Sequence, residues 1–235
     1  MRPPLPPPPH PSIAGPAVRS IQRAGALRIA ADLSSPPLAF REGESARGFE
    51  IDLAALLASS LGVRLEVHDT PQALLGRGLA GADMVIGLRQ TAQSPGMASE
   101  PFYTMTQAIL WRDRAGPAGD APLRHLRVAV QAKSVGETVA QQMGAGPILL
   151  TYRPAEALAV VSRGEAQAAV ADLPLVAEYA RTHRHLTVST GPWAPTPLVV
   201  QVRDDAPDLL AFTSAAIREL KQNGGLAQLR QRWHL

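Results

Sequence analysis

An α/β fold with mostly parallel sheets is what this sequence predicts, and three observations predict it. Short buried-strand patterns alternate with amphipathic helical stretches through both halves of the chain. Glycine stands where the helical patterns stop, as Gly62 and Gly164 do. Apolar residues make up 46% of the 235 positions, enough to build sizeable cores.

In chain order, Leu27–Ala31 reads as a strand and Phe49–Leu61 as a helix, with Ile51, Leu53, Ala54, Leu57 and Leu61 at helical spacing. Val63–Val67 alternates apolar residues inward and reads as a second strand. Leu74–Ala80 is expected as a short helix, Met84–Gly87 as a buried strand and Gln107–Arg112 as a further strand leaving the first half. Gly116–Pro122, rich in Gly, Pro and Ala, reads as a turn. The second half repeats the alternation: strand Leu126–Val130, helix Ser134–Met143, strand Ile148–Tyr152, helix Ala155–Arg163, strand Ala168–Ala171 and helix Leu173–Thr182. Strands follow at Leu186–Ser189 and Leu198–Arg203. The longest helix, Pro207–Asn223, carries Leu209, Leu210, Phe212, Ala216, Ile217 and Leu220 on one face. Gly224-Gly225 separates it from a last helix, Leu226–Trp233.

Residues 1–25 are of another composition. The run Pro3-Pro4-Leu5-Pro6-Pro7-Pro8-Pro9 favours extended polyproline II, and this tail is expected to be disordered or extended. Ile13–Val18 is too short, and too broken by Gly15 and Pro16, for the apolar stretch of an export signal. Either the start is misplaced or trimmed, or the protein stays inside the cell; the first is the expectation. No stretch approaches the roughly 18 apolar residues of a membrane span. The net charge of +3 is spread along the chain and aromatics are only 4%, which argues against a nucleic-acid stacking surface. With no cysteine there is no disulfide, thiol catalysis or Cys-ligated zinc.

Several phrases resemble one known family. Leu27–Phe40 followed by Gly48-Phe49-Glu50-Ile51-Asp52-Leu53-Ala54 is similar to the start of the family 3 bacterial extracellular solute-binding proteins. Glu219–Trp233, with its glycine turn and tryptophan-ended helix, resembles that family's closing segment, and the likeness covers about residues 26–234. It implies a two-lobed periplasmic-binding-protein type II fold, each lobe a mostly parallel sheet flanked by helices. Residues 26–113 plus 201–235 would form lobe 1 and residues 114–200 lobe 2. It also implies a periplasmic, monomeric binding component of an ABC-type importer that passes a small polar, amino-acid-like solute to a permease.

In such proteins the ligand is met by loops at strand C-termini and by helix N-termini. The resemblance places Asp32, Gly87, Arg89 and Thr91 at the ligand from the first lobe, and Gln131, Ser134 and Asp172 from the second. Asp172 ends a stretch similar to the family strand whose aspartate holds the ligand ammonium. It also precedes Leu173-Pro174, where an aspartate commonly caps a helix. Asp32 either faces the ligand or orders its loop. Amino-acid binders carry an Arg three residues after a Thr like Thr91, to grip the α-carboxylate; here Ser94 stands there. Arg89 either supplies that charge from another direction or is a solvated surface Arg. Standard α-amino acids are therefore expected to bind weakly. Phe102, Tyr103 and Trp193 are candidates for an aromatic wall, although Phe102 and Tyr103 also suit packing at a lobe edge.

Two other functions stay open. Ala82–Gly87, Glu100–Tyr103 and Pro174–Ala180 look similar to segments of solute-binding-like accessory proteins of quinoprotein methanol dehydrogenases, which would make a periplasmic dehydrogenase the partner. Dehydratases of the same fold also exist, but no nucleophile elbow, zinc-protease or nucleotide motif is found, so no catalytic residue is assigned. His183 and His185 are read as a solvated turn, with no metal and no cofactor expected, and Glu42, Glu44 and Glu50 as surface charges.

Overall fold

The chain divides into two α/β units, the first made of Met1–Thr104 and Pro197–Leu235, the second of Met105–Thr196. The computed structural model describes residues 4–75, 81–90, 96–112 and 123–235. In order along the chain the elements are α1 (Pro16–Ala24), β1 (Ala26–Ala31), β2 (Ser34–Ser35), β3 (Ala39–Glu42), β4 (Ser45–Arg47), α2 (Phe49–Ser60), β5 (Arg64–Asp69), α3 (Gln72–Leu75) and β6 (Met84–Arg89). Then come β7 (Met97–Ala98), β8 (Tyr103–Met105), β9 (Gln107–Arg112), β10 (Val128–Gln131), α4 (Val135–Gln142), β11 (Ile148–Thr151), α5 (Pro154–Ser162) and β12 (Ala168–Asp172). The last are α6 (Leu173–Thr182), β13 (Leu186–Thr190), β14 (Thr196–Val202), α7 (Pro207–Gln222) and α8 (Gly225–Trp233).

The first unit's main sheet runs β5-β1-β6-β14-β7, with β8 also on β14. β5, β1 and β6 are parallel, as strands joined by helical crossovers must be, and β14 joins β6 antiparallel. A small antiparallel sheet, β2-β3-β4, fills the stretch between β1 and α2 that the alternation pattern left without structure. The second unit's sheet runs β11-β10-β12-β9-β13. Its strand β9 is buried on both faces: Ala108 and Leu110 lie in one apolar cluster with Leu158 and Val176, whereas Ile109 and Trp111 lie in another with Val130 and Val139.

Three expectations are corrected here. Gln107–Arg112 does not close the first unit. It inserts between β12 and β13, antiparallel to both, so the units part at residues 104 and 105 rather than 113 and 114. Likewise β14 pairs with β6, which places the return at residues 196 and 197. The hydrophobic pattern of a buried strand is the same in either sheet, so it marks the strand and not its partner.

The tail is the second correction. Pro16–Ala24 is a helix, begun by Pro at its first turn and ended by Gly25 in the left-handed region at φ 68°. Val18 and Ile21, three apart, are its buried pair. Gly15 at its N-cap has no side chain to offer, and the Val18 N–H is met instead by Asp208 Oδ2 of α7 at 2.9 Å. Further up the tail, Pro6 and Pro9 are buried and the His10 N–H donates to the Glu219 carboxylate at 3.0 Å. Third, Glu50 is not a surface charge: it is 6% exposed.

Candidate functional site

In the first unit the parallel strands β1 and β6 end side by side. Their last registered pair is Ala30 with Val85, so Asp32 and Gly87 each lie two residues further on. Asp32 Oδ1 accepts from both the backbone N–H and the hydroxyl of Ser34, at 3.0 and 2.6 Å, an Asx turn that orders the loop after β1. Asp69, opposite Ala31 on β5, braces the same loop by accepting from Leu33 N at 3.2 Å and pairing with Arg41 Nη2 at 3.1 Å.

Gly87 is required twice over. Its φ is +78°, and a Cβ there would stand 2.4 to 2.6 Å from the Glu50 carboxylate. The backbone of β6 therefore runs directly against a buried acid at the start of α2. Arg89, half-buried at the end of β6, lies opposite Leu198 of β14, and the following Gln90 N–H bonds to Pro197 O at 2.9 Å. Thr91 and Ser94 fall outside the described residues. The first amides of α2 are already engaged, since Phe49 N–H and Glu50 N–H donate to Pro37 O and Leu38 O at 3.0 and 2.9 Å.

The second unit gathers its candidates at the corresponding strand ends. β10 ends at Gln131 and β12 at Asp172, parallel neighbours through Val130 and Val170. Gln131 Nε2 donates to Tyr152 O at 3.2 Å, and its own carbonyl accepts from the Ser134 hydroxyl at 2.7 Å. Ser134 is the N-cap of α4: its Oγ accepts from Glu137 N at 3.1 Å, while Glu137 Oε2 accepts from Lys133 N at 2.6 Å. This reciprocal arrangement resembles a capping box and fixes the turn between β10 and α4.

Asp172 occupies the N-cap position of α6 but makes no side-chain cap hydrogen bond. Its Oδ1 instead accepts from Gln107 Nε2 at 2.7 Å. Gln107 is 1% exposed and lies directly opposite Asp172 in the β9–β12 register. Sequence reasoning missed Gln107. The signal available was a lone polar residue opening the apolar run Ala108-Ile109-Leu110-Trp111.

The proposed aromatic wall is distributed otherwise. Phe102 is 1% exposed and packs at 5.9 Å from Phe49, and Tyr103 meets Phe49 edge-on at 5.8 Å under the Arg230 guanidinium. Both belong to the first unit's packing. Trp193 packs against the second unit's core cluster of Ile109 and Trp111. His183 stacks on Tyr179 at 4.1 Å with Nδ1 beside Tyr179 O, and His185 Nε2 meets the Ser162 hydroxyl at 3.2 Å. Among the described residues no three His, Cys, Asp or Glu groups are arranged to hold a metal ion, and no helix is long and apolar enough to cross a membrane.

The family model for bacterial extracellular solute-binding proteins, family 3, matches residues 27–235. No curated protein sequence matches significantly. Among solved structures, the ancestral cationic amino acid solute-binding protein AncCDT-1 is similar with 29% identity and a TM-score of 0.82, over 93% of this chain and 99% of that one. Another structure of AncCDT-1, described as a precursor of cyclohexadienyl dehydratase, gives 29% identity and a TM-score of 0.78 over the same shares, 93% and 99%. A mutant of ArgBP from T. maritima is 26% identical with a TM-score of 0.76, again over 93% and 99%.

Proposed function

The chain belongs to the bacterial extracellular solute-binding proteins of family 3, and from that premise we propose that it is the periplasmic binding component of an ABC-type importer, taking a small polar solute that carries a cationic group. The observation that carries this reading is Asp172. Its carboxylate ends strand β12, which runs parallel to β10, at the kind of strand end where α/β proteins bind ligands, and is tethered by Gln107 instead of closing the helix that follows it. A carboxylate so placed suits an ammonium or guanidinium group. The likeness to a protein described as binding cationic amino acids points to the same chemistry. Gln131 and Ser134 are the neighbouring candidates in the second unit, and Asp32, Gly87, Arg89 and Thr91 those of the first.

Calorimetry with L-arginine, agmatine and L-glutamine, on the wild type and on Asp172→Asn, tests this. Cationic probes are expected to bind the wild type and to lose about two orders of magnitude in Asp172→Asn, as removal of one partner of a desolvated charge pair does. Unchanged affinity in the variant contradicts the reading.

A dehydratase is the second reading, favoured by the description of AncCDT-1 as a precursor of such an enzyme. It predicts turnover of a cyclohexadienyl substrate; the binding reading predicts none. The dehydrogenase-associated branch gains no support from the comparisons.

A further inference from the structure

We propose that Gln107 is a positioning residue that withholds Asp172 from the start of α6 and holds its carboxylate toward a ligand. The inference rests on the reading of Asp172 given above and names the side chain that positions it.

An aspartate at an N-cap ordinarily turns its carboxylate onto the N–H of the second or third helical residue. In α6 the geometry narrows that choice to one amide. Leu173 N–H already donates to Thr106 O at 2.9 Å, and Pro174 has no N–H, so a cap by Asp172 would serve Leu175. The cap is not made. The competitor is Gln107 Nε2, 2.7 Å from Asp172 Oδ1, reaching across from the facing position on β9.

Two features decide the contest. The amide of Gln107 is buried, so turning Asp172 away would strand its Nε2 donor out of water. The Gln107 side chain is also held in place. Its backbone N–H donates to Trp193 O at 3.0 Å, and the first turn of α4 lies over it. A Cβ on Gly136 would stand 3.2 Å from Gln107 Oε1 and 2.6 Å from Val170 O, so glycine is what lets α4 approach this closely.

The test uses the full chain with Gln107→Leu, and with Gln107→Met as a second variant that keeps side-chain length and volume. Crystal structures of both are expected to show Asp172 turned to Leu175 N–H. In solution, hydrogen exchange of the Leu175 amide is expected to slow by roughly tenfold, the protection one added local cap provides. A merely structural role for Gln107 predicts the opposite sign, faster exchange throughout α6. An unmoved Asp172 carboxylate, or Leu175 exchange no slower than in wild type, overturns the proposal. Neither readout needs a ligand, so this outcome is separate from the Asp172→Asn calorimetry that judges the binding role.

Discussion

Trp233 Nε1 donates to Asp52 Oδ2 at 2.7 Å, and Arg232 Nε reaches the same oxygen at 2.8 Å. The last helix of the chain is thereby fastened to α2, and Phe40 of β3 meets the Trp233 ring edge-on at 5.7 Å. Trp233 is 3% exposed, so its indole N–H has no recourse to water if the carboxylate is lost. Asp52→Ala is expected to cost about 2–3 kcal/mol in urea unfolding, with Asp52→Asn milder because an acceptor survives.

Gly87→Ala combines a left-handed backbone with a methyl group driven into the Glu50 carboxylate. Together these should destabilise by about 2–4 kcal/mol. In a Glu50→Ala background the same substitution should cost only the backbone share, about 1–2 kcal/mol. Equal costs in both backgrounds would show that the close approach is not the constraint.

The N-terminal segment should behave as part of the first unit. Removing residues 1–25 takes away Val18 and Ile21, both buried, and is expected to lower the melting temperature by on the order of 5 °C or more. Asp208→Ala, which leaves Val18 N–H without its acceptor, should cost about 1 kcal/mol.

How legible was all this in the residues? The parallel strands and their helices were, because β1, β6, β10 and β12 are short apolar runs bounded by turn residues. Sheet membership was not, as β9 and β14 show: each pairs with strands distant in sequence, and periodicity carries no partner information. The proline run masked α1, whose buried pair Val18 and Ile21 is too short a pattern to stand out. At the candidate site Asp172 could be named because it ends an apolar strand. Gln107 and Glu50 could not, because their burial depends on what faces them across the fold.

Acid should erase one surface contribution selectively. The Arg218 side chain hydrogen-bonded to Glu100 holds that carboxyl below its ordinary value of 4.5, with Lys221 adding to the effect. A carboxyl depressed in the folded state stabilises at pH values above the unfolded pKa and loses that contribution as pH falls through the folded one. The stability difference between wild type and Glu100→Gln should therefore be constant above about pH 5.5 and shrink steadily below about pH 4.5, and salt should reduce it throughout. A difference that grows in acid has the wrong sign for this pair.

If Ser94 stands where the carboxylate-gripping arginine would be, as the family resemblance implies, two related cations should be told apart. Agmatine, which lacks the α-carboxylate, should bind at least as tightly as L-arginine, whereas a carboxylate clamp would favour L-arginine by about two orders of magnitude. If L-arginine wins and the advantage disappears in Arg89→Ala, the charge has moved to Arg89.

The central claim, that this chain binds a small cationic solute through Asp172, is tested most directly by native mass spectrometry of gently purified protein offered agmatine and L-arginine. The account predicts a one-to-one complex in the wild type, released on denaturation and absent in Asp172→Asn. Wild-type protein that carries only its bare mass with every probe, or a complex of equal abundance in Asp172→Asn, would contradict it.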